Sequence, residues 1–206
     1  MNNDRTNQLN RRQLLGAAGA VTAGVVLANT ASVNADSHAA AEPTHAIAVM
    51  RPTKDNKVRG SVRFAMTNKG VRVIANIKGL EPKSKHAIHI HQYGDISKPD
   101  GTGTGGHYNP EGHDHALPEK EKRHAGDLGN LEADDEGNAK YSITVTNISI
   151  AGKKNPIAGR GVIIHAKVDD GGQPTGNAGP RIAQGAIGIA PKPVRKEGAK
   201  KENAKK

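Results

Sequence analysis

"HAIHIHQYGD", residues 86–95, sets three histidines close together and then breaks at Gly94-Asp95. Read as a strand, its side chains alternate between two faces. His89 and His91 share one face with Ala87, while His86, Ile88 and Ile90 share the other. One face can enter an apolar core while two imidazoles at i, i+2 turn toward a single point on the opposite side. Converging imidazole lone pairs suit a metal, provided the rest of the chain supplies further ligands.

The neighbouring sequence reads as strands too. "AIAVM" (46–50) is short and apolar. "KVRGSVRFAM" (57–66) alternates, with Val58, Val62, Phe64 and Met66 facing one way and Arg59, Ser61 and Arg63 the other. "GVRVIANIKGL" (70–80) repeats the alternation through Val71, Val73, Ala75 and Ile77, and "TNKG" between them is a hairpin turn. After the histidine strand comes a long stretch rich in Gly, His, Asp and Lys without sustained period. The β pattern resumes in "NAKYSITVTNISI" (138–150), "GRGVIIHAK" (159–167) and "GAIGIA" (185–190). Short strands around one apolar core predict an all-β antiparallel sandwich or barrel. A long loop in such a domain is functional or tied down.

Composition limits what the tie can be. Among 206 residues there is no Cys, which excludes a disulfide, a thiolate metal site and a thiol nucleophile. The single Phe and absent Trp leave a core of Val, Ile, Leu and Ala. "GTGTGG" (101–106) imitates a dinucleotide fingerprint, but no helical pattern follows it, so that reading fails.

The two ends differ from this body. Arg11 and Arg12 precede an uncharged, Gly- and Ala-rich run from Leu14 to Ala35, ending in "VNA". The pattern is read as a twin-arginine export signal over residues 1–35, with an uncleaved membrane anchor as the alternative. Such a chain is periplasmic, extracellular or at the cell surface, where disulfides are common, yet none can form here. Residues 36–44 read as a flexible lead-in. Net charge is +10; a chain starting at Asp36 carries +8, and residues 192–206 hold seven basic and two acidic residues, or +5 of that. This tail has no apolar face to bury, so it reads as a solvated, disordered end able to contact anionic surfaces. No specific nucleic-acid partner is indicated.

The long loop holds His107, His113, His115, His124 and Asp127, and a later strand holds His165. With His89 and His91 these are enough for two sites. An all-imidazole set suits copper, and a histidine-plus-aspartate set suits tetrahedral zinc. The competing reading is a hydrophilic loop with scattered surface histidines.

Over residues 45–190 the chain resembles the copper/zinc superoxide dismutases. "HAIHIHQYGD" is similar to the family's H-x-H strand and Gly-Asp turn. "GGHYNP", a histidine eight residues on, and "RHAGDLGN" are similar to its zinc loop. "GRGVIIHAKVDD" and "GNAGPRIAQGAIGIA" are similar to its last copper-ligand strand and C-terminal signature. The resemblance implies an eight-stranded Greek-key β-barrel with long metal-binding loops and a copper/zinc pair that disproportionates superoxide. It implies copper on His89, His91, His107 and His165, and zinc on His107, His115, His124 and Asp127, with His107 bridging. Arg181 would guide the anion, Asp169 would link ligand histidines of the two sites, and His86 would be a packing neighbour. His113 has no counterpart and stays a loop histidine. The ending "GAIGIA" is similar to that of dimeric members and implies a homodimer.

Two features depart from the family pattern. Gly101 and Gln184 stand where members usually carry the disulfide that ties the loop to the last strand. The segment "VDDGGQPTGNAG" (168–179) is shorter than the usual charged loop, so anion guidance is either weaker or rests mainly on Arg181. A non-catalytic copper/zinc-binding or metal-delivery protein on the same fold is the alternative function, with a cell-surface binding module a third.

Overall fold

The structure, a computed structural model, describes residues 41–193. The export-signal reading of residues 1–35, most of the 36–44 lead-in and residues 194–206 of the basic tail therefore lie outside the described residues. Eight strands follow in order: β1 His45–Pro52, β2 Arg59–Thr67, β3 Gly70–Lys78, β4 Lys85–His91, β5 Asp127–Glu132, β6 Asn138–Val145, β7 Gly161–His165 and β8 Arg181–Ile189. All pairings are antiparallel, in the spatial order β5-β4-β7-β8-β1-β2-β3-β6. The outermost strands β5 and β6 approach each other, and the Tyr141 hydroxyl of β6 donates to the Leu128 carbonyl of β5. The result is a nearly closed barrel with crossovers between β3 and β4 and between β6 and β7, the expected fold class.

The period-2 pattern of β2 and β3 translates directly into burial. Val62, Phe64, Val71, Val73, Ala75 and Ile77 enter the core, while Arg59, Arg63, Arg72 and Lys78 stay outside. The predicted hairpin forms, with Thr67 opposite Gly70. The Thr67 hydroxyl accepts from Lys69 N at 3.1 Å and donates to Gly70 O at 2.8 Å. Met66, expected to point inward, is 41% exposed because it lies at the strand end, beyond the cover of the core.

Three boundaries differ from the sequence expectation. β5 falls in the stretch read as aperiodic loop; its burial (BBBiBe) does not alternate, since both of its faces are covered. β6 stops at Val145 instead of running to residue 150. β8 begins four residues earlier than "GAIGIA", at Arg181. That early start matters, because it places Arg181 directly opposite His165 on β7.

β4 is buried from His86 to His91. Ile88 and Ile90 enter the core, and the opposite face is roofed by the long loop. Register then brings key residues side by side. His89 pairs with Asp127 of β5 across a bulge, and His91 forms an isolated bridge with His107.

Candidate metal centre

The site is built on three strands and closed by two loops. Ligand atoms of His89, His91, His107 and His165 lie within 4.8 Å of one another, and all four residues are buried. His89, His107, His115 and Asp127 meet the same limit. His124 adjoins this second group, its Nδ1 3.2 Å from Asp127 Oδ1 and 3.3 Å from His107 Nδ1. His107 thus stands between the groups, its ring centroid 4.0 Å from that of His89 and 5.4 Å from that of His124.

Hydrogen bonds determine which nitrogen of each ring is bare. His91 Nδ1 faces Gly105 O at 2.9 Å and His165 Nδ1 faces Gly179 O at 3.0 Å. A carbonyl only accepts, so both Nδ1 atoms carry the proton and both Nε2 atoms keep a lone pair. His89 Nε2 donates to Asp169 Oδ2 at 2.8 Å, leaving its Nδ1 bare. His89 Nδ1, His91 Nε2 and His165 Nε2 are buried without a hydrogen-bond partner. Leaving buried acceptors unpaired is costly, about 1–3 kcal/mol each. Converging bare imidazole nitrogens in an aspartate-poor group fit copper.

The second group carries an even clearer demand. His115 Nε2 donates to Asp169 Oδ1 at 2.8 Å, so its bare Nδ1 faces Asp127 Oδ2 at only 3.0 Å. A lone pair against a carboxylate oxygen repels, so the gap must hold either a proton on Nδ1 or a metal cation that takes the proton's place. Three histidines and one aspartate fit tetrahedral zinc. His89 has a single bare nitrogen and can serve only one group, whereas His124 completes the second without it.

The electrostatics agree with this division. Burial, reinforced by the neighbouring histidines, lowers the pKa of His165 to about 3 and holds His91 well below its ordinary value. Burial also lowers His107 to about 4, with Asp127 pulling partly the other way. Burial would lower His115 likewise, but Asp127 and Asp169 outweigh it and raise its pKa to about 9. Burial disfavours the charge on Asp127, yet hydrogen bonds from His107, His115 and His124 hold it far below the usual carboxylate range. Asp169 is lowered in the same way by His115 and His89 against its burial.

Arg181, half-buried, is fixed by the long loop. Its Nη1 donates to Gly101 O and, at 3.0 Å, to Thr104 Oγ1, and its Nη2 donates to Gly105 O at 2.6 Å. The Gly105 carbonyl therefore holds both His91 and Arg181. A side chain at Gly101 would crowd this arrangement, since a Cβ there would lie 3.2 Å from Arg181 Cδ.

The profile of the copper/zinc superoxide dismutase family (SODC) matches residues 58–187. A copper/zinc superoxide dismutase of Paramecium bursaria Chlorella virus 1 is 42% identical over 79% of this chain and 84% of its own length. The chain belongs to the copper/zinc superoxide dismutase family. Copper/zinc superoxide dismutases of Humicola lutea and Schizosaccharomyces pombe are 43% and 44% identical, each over 70% of this chain and 98% and 97% of their own lengths. A crystal structure described as that of the clock protein EA4 superposes with a TM-score of 0.65 at 38% identity, covering 72% of this chain and 96% of that one.

Within this family member, several supporting residues escaped the sequence reading. Gln173 donates to His115 O at 2.6 Å and accepts from His115 N at 3.2 Å, clasping the backbone of a metal-site residue. Asn130 clasps Asp169 in the same reciprocal way, at 2.9 and 2.7 Å. Arg123, buried beside His124, donates to the Asp127 carbonyl at 3.3 Å. Arg123 and Asn130 are the ends of "RHAGDLGN" and Gln173 lies in the segment 168–179, but those stretches were read only for His124 and Asp127 and for loop length, and nothing local assigned these side chains a partner.

The remaining predicted residues are placed as follows. His86 lies on the core side of β4, its Nδ1 donating to His165 O at 2.9 Å. His113 sits outside both groups, its Nδ1 3.2 Å from Arg123 O. Gln184 donates to Lys98 O at 2.9 Å, so a polar contact to the loop stands where family members usually carry the disulfide. Its partner is Lys98; Gly101 instead packs against Arg181.

With hydrogen bonds in place of a covalent tie, chelation should loosen residues 95–127 first. The strands at 57–80 should keep their protection, because their packing involves none of the ligands. Hydrogen exchange with and without chelator measures this; uniform loss of protection, or none in the loop, would contradict it.

Proposed function

We infer that this chain disproportionates superoxide, two O2•− and two H+ giving O2 and H2O2. The observation that carries the reading is the trio of buried, partnerless imidazole nitrogens on His89, His91 and His165, in a chain of this family. His89, His91, His107 and His165 would hold copper; His107, His115, His124 and Asp127 would hold zinc. When bound, copper supplies the one-electron chemistry, taking an electron from one superoxide and returning it to the next, while zinc supplies a fixed positive charge.

The chain's own groups do the rest. Arg181 keeps N–H donors free beyond those spent on the loop, and its charge attracts and orients the small anion. His107 would serve as proton carrier at Nε2, since its Nδ1 is turned toward Asp127. Asp169 and Gly105 hold His89 and His91 in one tautomer each.

We further infer export, with residues 1–35 as a twin-arginine signal, residues 45–191 as the enzymatic domain and residues 192–206 as a solvated basic tail able to contact anionic surfaces. A homodimer is inferred as well. Val49, Tyr93 and Ile189 are 62%, 59% and 53% exposed. Register sets Val49 beside the Ala186 region of β8, and a Cβ at Gly94 would lie 3.6 Å from that of Ala186. A contiguous apolar patch of this kind suits a self-complementary interface.

Metallated protein should contain one copper and one zinc per chain by mass spectrometry and turn over superoxide. Arg181→Ala should keep the copper yet lose at least about tenfold in rate, because the guanidinium acts on the anion. Full metal content without turnover would favour the metal-delivery reading, and an unaffected variant would remove Arg181 from catalysis. Replacing Arg11 and Arg12 by lysines should strand the precursor in the cytoplasm, whereas N-terminal sequencing of secreted protein should find a start near Asp36. Sedimentation should give a dimer that Val49→Glu dissociates; a monomer at micromolar concentration would refute the interface.

A further inference from the structure

The outer face of β2, β3 and β6 carries Arg59, Arg63, Arg72, Lys78 and Lys140, all exposed, and these three strands contain no Asp or Glu. Their inward positions fill the core, so the cations have nowhere to go but this face. Register concentrates them. Arg59 stands directly opposite Lys78; Arg63 is diagonal to Arg72, and Lys140 is diagonal to Lys78. Like charges directly opposite one another destabilise a sheet. None of the five forms an ion pair among the described residues. Asp134 reaches only the rim, near Lys78 and Lys140, where it accepts from the backbone of Glu136 and Asn138. With strands about 4.8 Å apart and a rise of about 3.3 Å per residue, the cations, from the Arg59–Lys78 row to Arg72 six residues along, cover a field of about 10 by 20 Å.

The surroundings define the partner's chemistry. Ser61, Ala65, Asn76, Ser142 and Thr144 lie among the cations, all small or polar, and the one larger apolar side chain on the face, Ile74 opposite Arg63, is half-buried between its neighbours. No aromatic ring faces outward: Phe64 is in the core, and the Tyr141 hydroxyl is committed to Leu128 O. Nothing here can stack on a nucleobase or wedge into a bilayer. A flat field of guanidinium forks instead matches a hydrophilic chain bearing repeated sulfate or carboxylate groups.

We propose that this face docks a linear acidic polysaccharide, holding the enzyme against a polyanionic matrix with the metal centre free. The interaction is independent of the catalytic reading, since none of the five residues belongs to the metal site.

The test uses the full metallated chain, with its basic tail intact throughout, and dextran sulfate as probe. The triple variant Arg59→Gln, Arg63→Gln, Arg72→Gln should bind at least about tenfold more weakly at 0.1 M salt. Its slope of log K against log salt should fall by about 2, at about 0.7 per lost contact on a single-stranded polyanion. Superoxide turnover and melting temperature should stay unchanged. The charge-keeping triple Arg59→Lys, Arg63→Lys, Arg72→Lys should retain most of the slope. Unchanged affinity and slope in the Gln variant would overturn the proposal and assign binding to the tail. Equal losses in the Lys and Gln variants would also overturn it. So would tighter binding of duplex DNA or phosphatidylserine vesicles with the same dependence on the three arginines.

Discussion

The buried carboxylate of Asp169 accepts from His89 Nε2 with one oxygen and from His115 Nε2 with the other, each at 2.8 Å. His89 belongs to a barrel strand, His115 to the long loop, and Asp169 to the segment after β7. One charged group thereby joins three parts of the chain. It also orients the rings, because by holding each Nε2–H it turns both Nδ1 atoms toward the two groups of candidate ligands. An ionised carboxylate in the interior is stable only with several donors around it. The Gly171 amide adds one, and Asn130 holds the Asp169 backbone in place. Even a methyl group at Gly176 is excluded, since a Cβ there would lie 2.1 Å from Asp169 Oδ1.

The loop that completes the site is held without any covalent link. Gln184 donates to Lys98 O, Lys54 N donates to Pro99 O at 2.7 Å, and Arg181 makes its contacts to Gly101, Thr104 and Gly105. Each such bond contributes about 0.5–1.5 kcal/mol net, so several together reach the order of a native disulfide at about 2–5 kcal/mol. The two differ in kind. Hydrogen bonds open when the loop loses its ligands, whereas a disulfide limits how far an opened loop can travel. In this protein, loop order and metal binding are consequently parts of one equilibrium.

Arg181 illustrates how position in the sheet places a side chain at the candidate site. At the first residue of β8 it faces His165 across a bulged pair, and its guanidinium is pinned by the loop that also pins His91. Moving the start of β8 by a single residue would turn the side chain to the other face. The same rule puts the cations of β2, β3 and β6 on the outside. One alternation supplies the apolar core, the metal-binding face of β4 and the charged exterior.

Alternation and composition by themselves determined much of this protein. Period 2 in residues 57–80 and 86–91 carried the strands, the core residues and the paired orientation of His89 and His91. The absence of cysteine excluded a staple, the histidine spacing pointed to two metal sites, and the family resemblance of the spaced motifs implied both ligand sets together with Arg181 and Asp169. These features are local, or are ordered along the chain, so they survive in one dimension. Tertiary structure alone decided the rest. β5 lacks alternation because both its faces are covered, a property of neighbours that are distant in sequence. Gln173, Asn130 and Gln184 act through single amide contacts across separations of 58, 39 and 86 residues. Which nitrogen of each histidine is bare depends on whether a carbonyl or a carboxylate meets the other side of the ring. An amide side chain has no periodicity and an imidazole has two equivalent faces, so only the folded neighbours can assign their roles.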